Sequence, residues 1–202
     1  MLLWVGRASH VLFLLLALGL RELLLDLCRL RILHHLLLVG VHDEWRFCPR
    51  CAGKLTRADD HLACESCGGR YWPSSFPGAQ GILERDGRVL LAQRALEPRK
   101  GHWDLPGGFL NEGEDPVEGL KREFLEETGL AVEPVELMRI DIEPYADRFV
   151  FSVTWIVTGD GEPRPADDVA ALRWFGPGEL PEMAFPGQDD VLRVWAARQQ
   201  HA

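Results

Sequence analysis

The sequence predicts an α+β fold, preceded by a small cysteine-bearing module and a leucine-rich helical segment. Three observations support this prediction. In residues 76–202, short apolar runs separated by glycine and proline turns surround one amphipathic helix, which indicates strands and helices mixed in one domain. Two closely spaced pairs of cysteines fall within residues 41–75, and leucine dominates residues 1–40. We therefore divide the chain into three segments at these two borders.

Composition and charge limit the functions that the chain could have. Its 202 residues are 47% hydrophobic and 26% charged, which is enough apolar content for a core and excludes a disordered chain. The net charge is −9, made up of +2 for residues 1–40, 0 for 41–75 and −11 for 76–202. A non-specific nucleic-acid binder needs a basic face, so we expect no nucleic-acid partner. A ligand that carries phosphate would need a cation to offset the repulsion.

The first segment, residues 1–40, leaves three interpretations open. Its longest uncharged apolar run, Val11–Leu20, is ten residues long, and a membrane span needs about 20. The segment could be a dispensable extension that results from a start assigned too far upstream, a membrane-associated helix, or a packed helix in which Cys28 is a buried thiol. We expect a cytoplasmic protein, with membrane contact only if this segment belongs to the native protein.

The second segment contains two C-x2-C pairs, Cys48–Cys51 and Cys64–Cys67, which are separated by twelve residues. Two intervening residues allow both thiolates of a pair to reach one ion, so the two pairs supply the four sulfurs of a closed tetrahedral Zn²⁺ site. Two disulfides or four free thiols are the alternatives, and disulfides require an oxidising compartment. The segment resembles a zinc ribbon, with a structural or dimer-forming role.

The third segment begins with a hairpin and a short strand. Residues 81–92 form two apolar runs around Asp86-Gly87, a dipeptide typical of a tight hairpin turn. A short strand is predicted at residues 103–105, and Pro106-Gly107-Gly108 ends it.

One helix and four further elements follow. Asp115 is predicted to cap the helix and Pro116 to open it; the helix continues to Thr128, where Gly129 terminates it. The elements predicted after it are strands at residues 137–142, 149–158 and 172–175 and a terminal helix at residues 188–199.

The first helix presents carboxylates beside its apolar stripe. Glu123, Glu126 and Glu127 fall within one arc of about 100°. Such closely spaced like charges repel unless a cation lies between them, and carboxylates together with substrate phosphates suit Mg²⁺ or Mn²⁺. A solvated acidic face is the alternative.

The spacing around this helix resembles the Nudix box, G-x5-E-x7-R-E-U-x-E-E-x-G-U, in which U is apolar. All nine specified positions match, and the matching residues are Gly108, Glu114, Arg122, Glu123, Phe124, Glu126, Glu127, Gly129 and Leu130. The resemblance covers residues 78–200. It implies a mixed β-sheet sandwiched by helices and the hydrolysis of a nucleoside diphosphate linked to another group. Together with the cysteine quartet, the chain is similar to the branch of this family that carries a zinc ribbon.

The resemblance also implies roles for individual residues. Glu126 and Glu127 would ligate the divalent metal directly, and Glu123 would be a ligand or the base that deprotonates the attacking water. The carbonyl of Gly108 would complete the coordination, and Arg122 would orient the glutamates by ion pairing.

Two further acids have weaker assignments. Glu114 would support the site from the loop before the helix. Asp168, which precedes the strand at 172–175, would approach the metal from a downstream loop; a loop acid that caps a turn is the alternative.

The substrate class is only partly indicated. The NAD(H) pyrophosphatases carry a Ser-Gln-Pro-Trp-Pro-Phe-Pro motif downstream of the box, which this chain lacks. In its place, Pro144 and Tyr145 follow the box at about the position where ADP-ribose and dinucleoside-polyphosphate enzymes carry Pro and Tyr respectively. We favour ADP-ribose or a similar nucleotide sugar, and Tyr145, Trp103 and Phe149 are candidates for base stacking.

Other functions are possible on the same scaffold. A non-catalytic sensor module with the ribbon as its partner-binding part is the alternative, although such modules usually lose box glutamates. A prenyl-diphosphate isomerase would need an active-site cysteine, and none follows Cys67. We expect a nucleotide-derived small molecule as ligand and consider a homodimer possible.

Overall fold

The computed structural model describes residues 45–146 and 148–199, all within the unit formed by residues 40–202. The interpretations of residues 1–40, including that of Cys28, lie outside the described residues. No helix among the described residues is long and apolar enough to cross a membrane.

A small three-stranded antiparallel sheet forms the cysteine-bearing module. Its strands are β1 (Leu55–Arg57), β2 (Leu62–Cys64) and β3 (Arg70–Tyr71), in the order β1-β2-β3. The two cysteine pairs lie in equivalent turns. Cys48 N donates to Gly53 O (2.7 Å), and Cys64 N donates to Gly69 O (2.8 Å). The same local backbone geometry therefore occurs twice and turns both pairs toward one centre.

A second, seven-stranded sheet forms the rest of the fold. Five strands lie in the order β10-β5-β4-β9-β8, and two short strands, β6 and β7, pair with β5 and β4. Strand β4 runs parallel to β9, and the other pairs are antiparallel, so the sheet is mixed. The strands are β4 (Phe76–Arg85), β5 (Arg88–Arg94), β6 (Trp103–Asp104), β7 (Gly107–Phe109), β8 (Glu133–Tyr145), β9 (Arg148–Thr158) and β10 (Val169–Phe175).

The predicted hairpin at Asp86-Gly87 is confirmed, and its two strands separate soon after the turn. β4 pairs with β5 only at Glu84↔Val89 and Arg85↔Arg88. Farther from the turn, β7 pairs with β4, and β6 pairs with β5. The segment that leads into the box therefore lies between the two arms of the hairpin.

The helix that carries the box is α1 (Pro116–Thr128), and its predicted bounds are confirmed. The Asp115 carboxylate accepts a hydrogen bond from Val117 N (2.9 Å), and Gly129 adopts φ 70° and donates to Leu125 O (3.0 Å). Both ends are thus fixed by local capping chemistry. The terminal helix, α2 (Pro186–Gln199), begins two residues before the predicted start.

The two helices cover opposite faces of the sheet, as the resemblance implied. Neighbouring strand residues such as Ile82 and Leu83 belong to different core clusters because side chains alternate between the two faces of a strand. Ile82 packs with Trp195 of α2, and Leu83 packs with Phe124 of α1. Phe124 lies against Gly81, where an added Cβ would be 2.6 Å from the ring. This close packing fixes the box helix against the sheet.

Candidate active site

A cavity of about 270 Å³ opens beside the box helix. It is bounded by residues of strands β4 to β9, of α1, of the loop before β10, and of the segment that precedes and begins α2. Glu123, Glu127 and Gly108 of the box line it, and so do Asp167 and Asp168 of the loop before β10. Residues from three separate parts of the chain therefore line one cavity.

Glu127 is the most buried acid of the box, with 8% of its surface exposed. Its carboxylate accepts a hydrogen bond from the backbone N of Gly107 (2.9 Å). Burial raises the pKa of Glu127 to about 9, and the nearby charges of Asp104, Asp168 and Glu123 act in the same direction. The carboxylates in the cavity wall therefore repel one another, and the cationic side chains nearby do not fully balance their charge.

Gly107 must be a glycine for this contact to form. It adopts φ 146°, and a Cβ at this position would lie 2.3 Å from the carbonyl oxygen of Ala79. Because Gly107 has no side chain, its strand can approach β4 this closely and direct the Gly107 N–H at Glu127.

Glu123 lies directly against the next glycine. A Cβ on Gly108 would be 2.5 Å from the Glu123 Cδ atom. Burial raises the pKa of Glu123, whereas the hydrogen bond from Arg122 opposes that shift. The carboxylate and the Gly108 backbone are therefore neighbours, as expected if both contribute to one cation site.

Arg122 connects three carboxylates through its planar guanidinium group. It holds both oxygens of Glu114 (2.7 and 2.9 Å), and its Nη1 donates to Glu123 (2.7 Å) and Glu126 (3.0 Å). The hydrogen bond from Arg122 lowers the pKa of Glu114 to about 2. Arg122 therefore lies in contact with all three carboxylates, and its orienting role and the supporting role of Glu114 stay predictions.

Glu126 differs from the other two helix glutamates. Its side chain is 47% exposed and does not line the cavity, although Arg122 ties it to the same cluster. Within residues 45–146 and 148–199, only the four cysteines bring three or more ligand atoms within 4.8 Å of one another. The structure therefore gathers Glu123 and Glu127 at the cavity and leaves Glu126 at its outer edge, where its role as a ligand stays a prediction.

Asp168 reaches the cavity from the loop before β10. Its backbone carbonyl accepts a hydrogen bond from Ala95 N (2.8 Å), which anchors the loop next to the end of β5. The neighbouring Asp167, at φ 51°, lines the same cavity. Asp168 therefore lies at the cavity, and its role as a metal ligand stays a prediction.

The donor set fits a hard divalent cation. Burial raises the pKa values of Glu123 and Glu127, and the charge of Asp168 acts on both in the same direction. A cation with oxygen ligands would relieve this repulsion, and the Gly108 carbonyl lies beside one of the carboxylates.

Another part of the cavity lining contains residues that sequence reasoning missed. Arg94 pairs with Asp104 (2.6 Å), donates to the Tyr145 hydroxyl (3.2 Å) and lies 5.2 Å from the Phe185 ring centroid. Burial raises the pKa of Asp104, and the charge of Arg94 opposes that shift. Gln188, at the start of α2, completes this wall. These residues come from separate elements and share no motif, so no local signal could have identified them.

The candidates for base stacking divide between two environments. Tyr145 lines the cavity and packs at 4.9 Å, ring centroid to centroid, against Phe185. Trp103 packs against Phe175 (4.9 Å) beside the core instead, and neither it nor Phe149 lines the cavity.

The four cysteines of the small module form the predicted cluster. Their Sγ atoms lie within 4.8 Å of one another, with separations of 3.8 Å for Cys48–Cys67 and 3.5 Å for Cys51–Cys64. A tetrahedral ion with Zn–S distances of about 2.3 Å would separate its ligands by about 3.8 Å. The hydroxyl of Tyr71 lies 2.9 Å from Cys48 Sγ, and this hydrogen bond lowers the pKa of that thiol to about 6. The cluster could therefore hold one metal ion.

A family model described as the NUDIX domain matches residues 77–195, which is more than half of the chain and includes every residue of the box. The chain belongs to the NUDIX family. Both its fold and the placement of the box helix at the cavity agree with this membership.

Curated relatives within the family carry two kinds of name. An ADP-ribose pyrophosphatase of Methanocaldococcus jannaschii is 38% identical over 109 residues, which cover 52% of this chain and 64% of the relative. The NAD-capped RNA hydrolase NudC of Vibrio parahaemolyticus is 30% identical over 146 residues, which cover 70% of this chain and 55% of the relative. The chain thus spans less than two thirds of either relative. The match to NudC covers more of the chain than residues 77–202, so it extends into the residues before the NUDIX domain.

Solved NUDIX structures have the same fold. A NUDIX hydrolase from Nitrosomonas europaea is 27% identical, with a TM-score of 0.69, and the match covers 78% of this chain and 94% of that one. A MutT NUDIX hydrolase from Burkholderia pseudomallei is 29% identical, with a TM-score of 0.55 over 59% of this chain and 96% of that one.

Proposed function

We propose that this NUDIX protein is a metal-dependent pyrophosphohydrolase that cleaves a nucleoside diphosphate linked to another group. The observation that carries the proposal is one cavity with two unlike walls. Glu123, Glu127 and Asp168 form an acidic wall suited to a cation and a pyrophosphate, and Tyr145 and Phe185 supply aromatic surface in the same cavity. A ligand with a charged centre and a planar ring fits both walls.

Glu127, Glu123 and the Gly108 carbonyl would hold Mg²⁺ or Mn²⁺, with Glu126 and Asp168 as further candidate ligands. When bound, such a cation supplies Lewis acidity that acidifies water and neutralises charge on phosphate oxygens.

The chain's own groups prepare the site around these ligands. The Gly107 N–H orients Glu127 (2.9 Å), and Arg122 fixes Glu123 (2.7 Å) while it is itself held by Glu114. Glu123, whose pKa is raised by burial, is suited to accept the proton of the attacking water if it is not fully engaged as a ligand. Because these groups are already oriented, little reorganisation accompanies the reaction.

ADP-ribose or a similar nucleotide sugar is the favoured substrate. One relative is named an ADP-ribose pyrophosphatase, and Pro144 and Tyr145 both line the cavity. The relatives named NAD-capped RNA hydrolase suggest a second class with the same bond, but the motif of the NAD(H) enzymes is absent from the sequence. Either class presents a nucleoside diphosphate to the acidic wall.

The four-cysteine module, residues 41–75, binds a structural Zn²⁺ in this proposal and forms a domain separate from residues 76–202. Four thiolates complete a tetrahedral site and leave no open position for catalysis. The small module has a core of only four buried residues, so the metal supplies most of its folding energy.

The test is a screen of nucleotide derivatives with Mg²⁺ or Mn²⁺, read by the masses of the products. ADP-ribose should yield AMP and ribose 5-phosphate, and Glu127→Gln should yield neither. Gly178→Ala is the matched control, because a Cβ there meets no atom within 4 Å. If no diphosphate is cleaved under any condition, the hydrolase proposal is wrong, and binding without turnover would favour the sensor alternative.

A further inference from the structure

Arg94 is the only cationic side chain among the described residues that line the cavity, and every other charged residue of that lining is acidic. A single arginine in such a lining could bind a phosphate of the substrate directly, or it could hold another part of the site in place. The contacts of its guanidinium group distinguish between these two roles.

The three guanidinium nitrogens of Arg94 are each bonded to a different part of the fold. Nη1 donates to the Asp104 carboxylate (2.6 Å), Nε donates to Pro98 O (2.8 Å), and Nη2 donates to the Tyr145 hydroxyl (3.2 Å). The side chains of Arg94 and Asp104 are each 13% exposed, so the charge of the arginine is compensated at close range and out of most solvent. A compensated cation attracts phosphate weakly, so these contacts favour the holding role.

Arg94 is itself fixed at both of its ends. Its backbone N donates to His102 O (3.0 Å), and its backbone O accepts from Gly101 N (2.9 Å). At the other end, Asp104 keeps the guanidinium in place and also accepts a hydrogen bond from the Gln188 amide. The side chain therefore provides a rigid donor at the Tyr145 hydroxyl.

Tyr145 is placed where the strand alone fixes a side chain poorly. It is the last residue of β8, which lies at one edge of the large sheet, and the next residue, Ala146, adopts φ 52°. A residue at the end of an edge strand has neighbouring strand on one side only. The hydrogen bond from Arg94 holds the outer end of the tyrosine ring.

Tyr145 is also the central ring of an aromatic group that reaches the cavity. Its ring centroid lies 4.9 Å from that of Phe185 and 5.3 Å from that of Phe109, and all three residues line the cavity. Phe109 is 40% exposed and Tyr145 is half-buried, so the rings are open to a ligand. Aromatic side chains of this kind stack against nucleobases. Because the three rings come from separate elements, their arrangement depends on the central one.

We propose that Arg94 is a positioning residue that fixes Tyr145, and through it the aromatic surface on which the base of the substrate stacks. The inference rests on the function proposed above and assigns a role to the one cation of the cavity lining. A ring that is held before the ligand arrives loses less freedom on binding. Arg94 should therefore strengthen binding of the base and leave the chemistry at the pyrophosphate unaffected.

The experiment compares kcat/KM for ADP-ribose with kcat/KM for an analogue that carries hydrogen in place of adenine. The unaltered protein should prefer ADP-ribose by at least about fivefold, the lower end of what stacking of one base on an aromatic ring contributes. Arg94→Met keeps a long side chain but removes all three donors, so it should bring this ratio toward one. The loss should appear in KM for ADP-ribose rather than in kcat.

Arg173→Met is the matched control. Arg173 also lies over an aromatic ring, 4.8 Å from the centroid of Phe175, but neither residue lines the cavity. The preference for ADP-ribose should be the same in this variant as in the unaltered protein.

Tyr145→Phe is a milder variant that tests the link between the two residues. Arg94→Met deprives Asp104 of its ion-pair partner, whereas Tyr145→Phe removes one hydroxyl group and leaves the Arg94–Asp104 pair and the ring in place. It should lower the ratio in part, and its effect should be less than additive with that of Arg94→Met. A ratio of two kcat/KM values does not depend on the fraction of protein that is folded, so partial destabilisation does not obscure the result.

The possible failures are distinguishable. If Arg94→Met lowers kcat/KM by the same factor for both substrates, Arg94 acts on the phosphates, the sugar or the fold, and the inference is wrong while the proposed function stands. The same holds if the unaltered protein does not distinguish adenine from hydrogen, or if the effects of the two variants are fully additive. If the unaltered protein cleaves no diphosphate, the proposed function is wrong and this inference falls with it.

Discussion

The carboxylate of Glu123 occupies the space that a side chain at Gly108 would need. A Cβ on Gly108 would lie 2.5 Å from Glu123 Cδ and equally close to Oε2. This contact joins the first glycine of the box to its first helix glutamate, fifteen positions apart in the motif but in contact in the fold.

Gly108→Ala should therefore impair turnover far more than stability. The added methyl group pushes the Glu123 carboxylate away from its position beside the backbone, and a misplacement of about 1 Å can reduce the rate about a hundredfold. Steady-state kinetics together with a thermal melt would test this, with Gly178→Ala as the control in open space. Unimpaired turnover of Gly108→Ala would show that the contact is not required.

Glu127→Gln should reduce turnover by orders of magnitude while the fold persists, because the two side chains have the same shape.

Glu127→Gln should also change how the stability of the fold depends on pH. The pKa of Glu127 is raised from 4.5 to about 9, so the folded state holds a proton that the unfolded state has released between these values. Without added divalent cations, the stability of the unaltered protein should fall as the pH rises through this window.

Denaturant titrations at pH 5 and pH 8.5 would measure this dependence. Glu127→Gln cannot ionise at this position, so it should show a smaller decrease. Mg²⁺ should stabilise the unaltered protein more at pH 8.5 than at pH 5, because the cation competes with the proton for the carboxylate. Equal pH dependence in both proteins would contradict the raised pKa of the buried Glu127 carboxyl group.

Arg122→Lys should lower turnover even though it preserves the charge. A lysine ammonium cannot reproduce the planar fork that holds both oxygens of Glu114 and also reaches Glu123.

The pairing of Arg122 with Glu114 should also make stability depend on pH. Arg122 lowers the pKa of Glu114 to about 2, so this pairing stabilises the fold above the unfolded pKa of about 4.5. That stabilisation is lost as the pH falls toward 2.

A double-mutant cycle with Glu114→Gln would measure the coupling between the two residues at pH 7 and pH 3. The coupling should be larger at pH 7. A coupling energy that does not change with pH would indicate that the ionised Glu114 carboxylate is not what Arg122 holds.

Cys48→Ser should remove the metal from the small module. Four sulfurs within 4.8 Å complete one tetrahedral site, and loss of one thiolate weakens it. Elemental analysis of the purified protein should give about one Zn²⁺ per chain before the change and markedly less after it. Cys28→Ser, at the one cysteine outside the quartet, is the control and should keep its zinc. A full equivalent of zinc in Cys48→Ser would overturn the structural assignment.

Some elements could be predicted almost residue by residue, and others could not. The bounds of α1 followed from Asp115, Pro116 and Gly129, because capping acts through hydrogen bonds to nearby backbone groups. Strand β8 extends over Glu133–Tyr145, well beyond the predicted 137–142. Its ladder with β9 contains two register shifts, and these interrupt the alternation on which a strand prediction depends.

The amino-acid sequence by itself determined the family, the spacing of the box residues and the quartet of cysteines. Each depends on residues a few positions apart along the chain, where helix geometry and chelate spacing leave little freedom. Only the tertiary structure decided that Glu126 lies outside the cavity while Glu127 is buried in its wall, and that Gln188 and Arg94 line the same cavity. The latter two residues are almost a hundred positions apart in the sequence, and only the packing of α2 against the divided β4–β5 hairpin brings them together.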